Sequence, residues 1–510
     1  MASVAHTPRT WTPRLVLSAV ALSAFVHLPG LLRARPLDDE TYLASMGKML
    51  RAGDVLYRDV IDRKPPLVLW IYELLVPSNW DLRPLRVVAM LLIAINGLFV
   101  LAIARRLGIG DTGARVAGAF AIVGSALAGF SDAHAANFEI WGLAAASVAV
   151  WLALEVGRPP ASNLARLLGR ALASGAMVAV ATNCKQPYIF TLIVVAFTVS
   201  RAHRVIAISA VVVGFATVTA AIAAAAGWSG YWKWVWFDNG DYIQMGFATL
   251  ATLAIRQCVV FVLVQWPLSL SAFRLMRLRA APGESAMSVI GPARRLGLIW
   301  FGAGFIGVAS GLRFFGHYFQ QCVPPLALLA GLALDADPHT ARRRLRIAVG
   351  FAPALWLLTW IPGLSGLDAA PRPLAQGIAA RTTANDRVLV WGRLPDAAVQ
   401  AHRTPIGRFV HQAYLTGRWA SVDGVQDPTH TEPYATRWRD YLAGLVESPP
   451  TIIVDASKIV DGWHQYSIDR LPLQRLVDAC YRNSEKINNL DTYEWTGVSC
   501  ARAIEPAQGL

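Results

Sequence analysis

Charge is scarce in this sequence. Only 16% of its 510 residues are Asp, Glu, Lys or Arg, where a soluble domain carries about a quarter. That shortage argues against a wholly soluble chain. Cysteine is scarce too: Cys184, Cys258, Cys322, Cys480 and Cys500 are the full set, and no CxxC pair occurs. A structural zinc site is therefore not expected. Lysine is far outnumbered by arginine, and no internal repeat is visible.

What is abundant is apolar surface. Hydrophobic residues make up 55% of the chain and the mean hydropathy is +0.41. This composition fits a polytopic membrane protein with some soluble mass attached. The formal charge of +14 does not point to nucleic acid. Much of it sits in short tracts between apolar runs, such as Arg105-Arg106, Arg294-Arg295 and Arg342-Arg343-Arg344, which is how topology signals are distributed.

A transmembrane helix needs about 20 apolar residues. Eleven stretches qualify or nearly so: 13–32, 84–104, 115–131, 137–156, 169–183, 187–200, 205–226, 249–272, 296–311, 317–334 and 346–363. The first lacks a small-x-small site at its end and reads as an uncleaved span rather than a signal peptide. The fifth and sixth are short and read either as two tilted helices or as one re-entrant pair. With the N-terminus in the cytoplasm, the arginine-rich loops all fall inside, as the positive-inside rule requires. Residues 1–363 then form the membrane domain. Residues 364–510, richer in Pro, Asp, Thr and His, form an extracytoplasmic α/β domain. In it "DRVLVWG" and "PPTIIVDAS" read as buried strands, "DYLAGLVES" as a helix, and the end of the chain as a strand pair. Cys480 and Cys500 lie in this region and can pair if it is outside the cytoplasm.

The loop at 33–83 breaks the charge rule, because it is expected outside yet carries both signs. Asp38, Asp39 and Glu40 open it; Asp59, Asp62, Arg63 and Lys64 precede Pro65-Pro66. Asp38 is placed to cap a helix starting at Asp39, with Leu43, Met46, Met49 and Leu50 on an apolar face lying at the interface. Pro66 starts a second helix. Capping explains one acid of the three. Ionisable groups beside a bilayer are costly and are usually paired or functional.

The stretch "DDETYLASMGKMLRAGDVLYRDVIDRKPPLVLWIY" resembles the first extracytoplasmic loop of the GT-C glycosyltransferases, and within them the protein mannosyltransferase and aminoarabinose transferase family (glycosyltransferase family 39). The matching positions are Asp38, Asp39, Tyr42, Gly53, Tyr57, Asp59, Asp62, Lys64, Pro65 and Pro66. The second acid of that pattern is usually Glu, so an alternative register takes Asp39-Glu40 as the pair. "AANFE" with Asn137 and Glu139, "CKQP" with Lys185, and "RFFGHYFQQCVPP" with Arg313, His317 and Tyr318 extend the resemblance, as does "NDRVLVWGRLPDAAVQAHRTPIGRF".

The resemblance implies a transferase in the cell inner (plasma) membrane. It would move a sugar from a polyprenyl-phosphate carrier to a hydroxyl on the outer face, with inversion. Its acceptor would be a glycan, a glycolipid or a protein. Asp38 is then the general base, with Asp39 assisting. Lys64, Lys185, Arg313, His317 and Tyr318 bind the donor phosphate. Tyr42, Tyr57, Asp59, Asp62, Asn137 and Glu139 contact substrate. The resemblance fixes no cofactor and leaves a metal requirement open; a divalent metal would fall to Asp38, Asp39 and Glu139.

Plainer roles compete for each residue. Lys64 can pair with Asp62 or Asp59, Lys185 can snorkel, and Arg313 or His317 can anchor a helix at the headgroups. The tryptophan-rich "WSGYWKWVWFDNGDY" reads first as an interfacial anchor, and second as a sugar-stacking surface with Asp238, Asn239 and Asp241. A transporter or flippase for an anionic polyprenyl lipid is the rival function. Such proteins often carry internal repeats and mid-bilayer sites, and neither is suggested here.

Overall fold

The computed structural model describes residues 11–32, 39–77, 79–128, 134–156, 164–199, 203–238, 246–277, 287–336, 338–358, 372–419, 424–460 and 462–504. The chain is mostly helical, with one small sheet near its C-terminal end. Among the described residues, five stretches are long and apolar enough to cross a membrane: Arg83–Arg106, Leu164–Cys184, Arg204–Ala225, Phe247–Val264 and Gly316–Ala336. The other expected spans are also helical over their described residues. Val205, Val212 and Val213 on one of these helices, and Ile255, Val259 and Leu263 on another, stay exposed. Apolar side chains in such rows suit lipid rather than water. The expected pair at 169–183 and 187–200 is a long helix ending at Cys184, then Lys185, then a tight turn Gln186–Phe190 leading into Thr191–Thr198.

The loop after the first helices folds into two more. Glu40–Arg51 buries Leu43, Met46, Met49 and Leu50. Pro66–Leu75 starts on Pro66, whose missing N–H costs nothing at a helix start. The cap differs from expectation. Asp39 is the N-cap residue and its side chain makes no capping hydrogen bond; Asp38 lies outside the described residues. The carboxylate of Asp39 is thus left to face a cavity.

Glu40 has a different job. Its carboxylate is fully buried and takes hydrogen bonds from Arg86 Nε at 3.0 Å, from Arg86 Nη2 at 2.5 Å and from the Ala136 backbone N–H at 2.8 Å. Arg86 also donates to the Gly30 carbonyl. One ion pair therefore ties together the loop helix, the helix Arg83–Arg106, the end of the first helical segment and the residues before Asn137. The pairing also explains how two charges tolerate this depth.

The C-terminal region builds a five-stranded sheet in the order β2-β1-β3-β5-β4. Here β1 is Arg387–Trp391, β2 Thr404–Pro405, β3 Ile452–Asp455, β4 Tyr481–Ile487 and β5 Leu490–Trp495. β1 pairs in parallel with β2 and β3, while β3, β5 and β4 run antiparallel. The apolar runs "VLVW" and "IIV" are central strands buried on both faces. Cys480 and Cys500 form a disulfide. The expected domain boundary falls in 359–371, outside the described residues. A single apolar core nevertheless runs from Leu43 and Tyr72 in the loop, through Trp234, to Trp391, Phe409 and Tyr414 in the sheet domain.

Glu40→Ala should cost about 3–5 kcal/mol, the usual result of stranding one partner of a buried pair. Thermal unfolding of the purified protein would show it as a drop in midpoint; an unchanged midpoint would contradict this role. Reducing the disulfide, which links residues 20 apart, should cost about 3 kcal/mol more.

Candidate active site

An open cavity of about 140 Å³ lies where the loop, the segment before helix Val323–Ala336 and the sheet domain meet. The loop contributes Asp39, Asp62, Arg63 and Lys64. Phe315, His317 and Tyr318 form a second wall, and Arg393, His411, Tyr414 and Trp419 of the sheet domain form a third.

Lys64 is aimed by the backbone around it. Tyr57 sits at φ 62°, a conformation that L residues other than Asn, Asp and His rarely adopt. Its hydroxyl donates to the Lys64 carbonyl at 2.8 Å. Asp62 Oδ1 accepts from the Lys64 N–H at 3.1 Å. The Arg63 N–H donates to Tyr414 Oη at 2.7 Å, and Gln186 Nε2 donates to the Arg63 carbonyl at 2.7 Å. The turn is thus clamped by the sheet domain on one side and the Gln186 turn on the other. Lys64 Nζ then lies 3.9 Å from Asp39 Oδ2 and 3.9 Å from the centre of the Phe138 ring.

Burial would raise the Asp39 pKa. Lys64, His317, Lys185 and Arg63 together outweigh that, and the net shift is downward. The carboxylate is ionised at neutral pH. Its cations come from three separate parts of the chain.

Behind this front lies a second group. Lys185 is bonded to Glu139, and its ammonium lies 3.5 Å from the centre of the Tyr318 ring. His317 Nε2 is 4.0 Å from the other Glu139 oxygen. The Asn137 amide is buried and makes no hydrogen bond among the described residues. Arg313 is 2% exposed, set between Leu312 and Phe314 at φ 52° and 49°, and does not line the cavity. Asp59 stands apart: it pairs with Arg58 at 2.7 Å on the surface and accepts the Val55 N–H. It braces the turn that presents Lys64 and does not face the cavity. Tyr57 serves that same turn.

The wall from the sheet domain was not foreseen residue by residue. Tyr42 stacks on His411 with centroids 4.6 Å apart, and its hydroxyl is hydrogen-bonded by Arg393. Burial pushes the Tyr42 pKa up to about 12, with Arg393 opposing. Burial, then Arg393, Arg63 and Lys64, hold His411 well below the ordinary imidazole range, so its ring is neutral. Arg63 lies 4.8 Å over the Trp419 ring. The sequence hint was the segment "WGRLP…AVQAHRTPIGRF", whose likeness covered the strand but singled out no side chain.

The tryptophan-rich segment packs inward through Tyr231, Trp234 and Val235. Trp234 lies against Phe409 and Tyr414, and Asp238 pairs with Arg437 at 3.0 Å. Trp228 and Phe237 stay exposed. Asn239 and Asp241 lie outside the described residues.

Among the described residues, no three His, Cys, Asp or Glu side chains gather as a metal site. Asp39 and Glu139 each face a lysine. A divalent ion on either would sit against an ammonium group, so the described donors do not fit one.

The backbone trace matches solved structures over nearly its full length. ArnT from Cupriavidus metallidurans bound to undecaprenyl phosphate is 16% identical, with a TM-score of 0.56 over 94% of this chain and 97% of that one. The apo form of ArnT gives 15% identity and a TM-score of 0.57 over the same shares. This chain has the GT-C fold. The archaeal oligosaccharyltransferase AglB from Archaeoglobus fulgidus gives 13% identity, a TM-score of 0.48, and coverage of 96% and 74%. No protein-family model and no curated protein sequence matches the chain.

With Lys64 removed, the largest of the charges that oppose burial at Asp39 is lost, and its pKa would rise. In Lys64→Gln the acidic limb of any Asp39-dependent activity should move to higher pH. A limb that stays in place, read from rate against pH, would show that Lys64 does not hold the carboxylate ionised.

Proposed function

We propose that this protein transfers a sugar from a polyprenyl-phosphate carrier to an acceptor hydroxyl, with Asp39 as the base. The observation that carries the reading is the Asp39 carboxylate 3.9 Å from Lys64 Nζ in one cavity. In the step, Asp39 takes the proton of the acceptor hydroxyl. That oxygen bonds the anomeric carbon from the face opposite the phosphate, and the carbon–oxygen bond to phosphate breaks. The departing phosphate keeps the electron pair and is met by Lys64 and His317, with Lys185 behind them. Inversion at the anomeric carbon follows from attack opposite the leaving group.

The register that takes Asp39-Glu40 as the acidic pair is preferred to Asp38-Asp39. It gives the first acid the cavity and the second the buried Arg86 pair. Asp38, expected as the base, lies outside the described residues. The ArnT structure bound to undecaprenyl phosphate supports a carrier of that class. Eleven spans, a cytoplasmic N-terminus, and a sheet domain on the outer face of the plasma membrane complete the arrangement. The Cys480–Cys500 bond supports that side, since disulfides persist in oxidising compartments. The cavity is walled by a loop and the sheet domain rather than enclosed mid-bundle, which favours transfer over transport.

Asp39→Asn should lower transfer from a polyprenyl-phosphate-linked sugar by about 10²–10⁴-fold, the usual contribution of a positioned base. Membranes with equal amounts of folded protein provide the comparison, with Asp38→Asn beside it. Full transfer by Asp39→Asn would overturn the assignment.

A further inference from the structure

Basic groups bear on the site in two banks, one from the loop and the helices and one from the sheet domain. Lys64, His317, Lys185 and Arg63 are the ones that act on Asp39. Arg393 comes from the sheet-domain wall, where it stands beside His411 and bonds Tyr42 of the loop helix; Arg63 and Lys64 reach His411 as well. The backbone at Arg393 is built for the purpose. β1 ends at Trp391, and Gly392 follows at φ 112°. A Cβ there would come within 2.4 Å of the Ser457 backbone nitrogen, so only glycine fits. Arg393 itself is at φ 62°, a region that arginine seldom occupies. The side chain of Gln412, 5% exposed, holds it there: its Oε1 accepts the N–H groups of Gly392 at 2.9 Å and Arg393 at 2.7 Å, while its Nε2 donates to the Val390 carbonyl. A strained turn locked by a buried amide thus points a guanidinium into the cavity. Among the described residues no carboxylate forms an ion pair with it.

We propose that Arg393 is a second anion-binding point, which takes a phosphate or carboxylate group of the acceptor while the Lys64 bank holds the donor phosphate. A planar guanidinium matches both groups with paired hydrogen bonds. The neutral His411 beside it adds a polar contact without competing charge. The assignment of Lys64 to the donor rests on the function proposed above; the anion site at Arg393 does not.

The test uses the full-length protein in nanodiscs, saturated with undecaprenyl phosphate and titrated with inorganic phosphate. Wild type should still bind inorganic phosphate, and Arg393→Gln should weaken that binding about tenfold or more. Arg393→Lys should fall between. Undecaprenyl phosphate binding should change less than threefold in Arg393→Gln and drop at least tenfold in Lys64→Gln. Equal loss of undecaprenyl phosphate binding in the two variants would put Arg393 on the donor side and overturn the inference. So would the absence of a second phosphate on the saturated wild type. If undecaprenyl phosphate does not bind wild type at all, the proposed function fails. Inorganic phosphate titrated onto the lipid-free protein then decides the inference alone: selective loss in Arg393→Gln upholds it, and equal loss in Lys64→Gln overturns it. Thermal midpoints of the variants, expected within a few degrees of wild type, separate binding from misfolding.

Discussion

A carboxylate partly withdrawn from water holds its charge more firmly when cations are brought to it. Asp39 meets that condition. Burial works against its charge, and Lys64, His317, Lys185 and Arg63 more than offset it. Lys64 and Arg63 belong to the same loop, but Lys185 and His317 are more than a hundred residues away in the chain. Everything else about the site is a means of keeping these groups in one place.

The means are mostly unremarkable bonds placed at junctions. Glu40 and Arg86 fix the loop helix against the helix Arg83–Arg106 and against the residues that lead to Asn137. Gln186 ties the Arg63 carbonyl to the Val235 carbonyl. The sheet domain grips the loop from the other side, through Tyr414 to Arg63, Thr41 to Asp396, and Arg387 to Asp54. That domain is therefore part of the site, and its core is continuous with the loop beneath it. Local strain at Tyr57 and Arg393 persists because neighbours on both sides hold it, as is common where a side chain must be aimed.

The sequence displayed the helices and the central strands clearly. Apolar length decides both: a run such as Val205 to Ala226 has no other stable home, and "VLVW" or "IIV" must be covered on two faces. The loop helices were equally legible, because Leu43, Met46, Met49 and Leu50 repeat at helical spacing and Pro66 marks a start. Side-chain roles inside the charged loop were harder to read. Asp38, Asp39 and Glu40 are neighbours in sequence, yet Asp39 faces a cavity and Glu40 a buried arginine. Nothing local separates them; their partners are distant. Asp59 is hard to read for the opposite reason: its spacing fits the resemblance, while the partner it takes, Arg58, is adjacent and solvent-facing. Arg393, His411 and Trp419 carried no local signal of a site, because their place in the cavity depends on how the sheet domain docks.

A structure of the full-length protein with undecaprenyl phosphate bound tests the account most directly. The phosphate should contact Lys64 Nζ in the same cavity as the Asp39 carboxylate, with the sheet domain forming the facing wall. A phosphate held elsewhere, with Asp39 turned to open water, would contradict it.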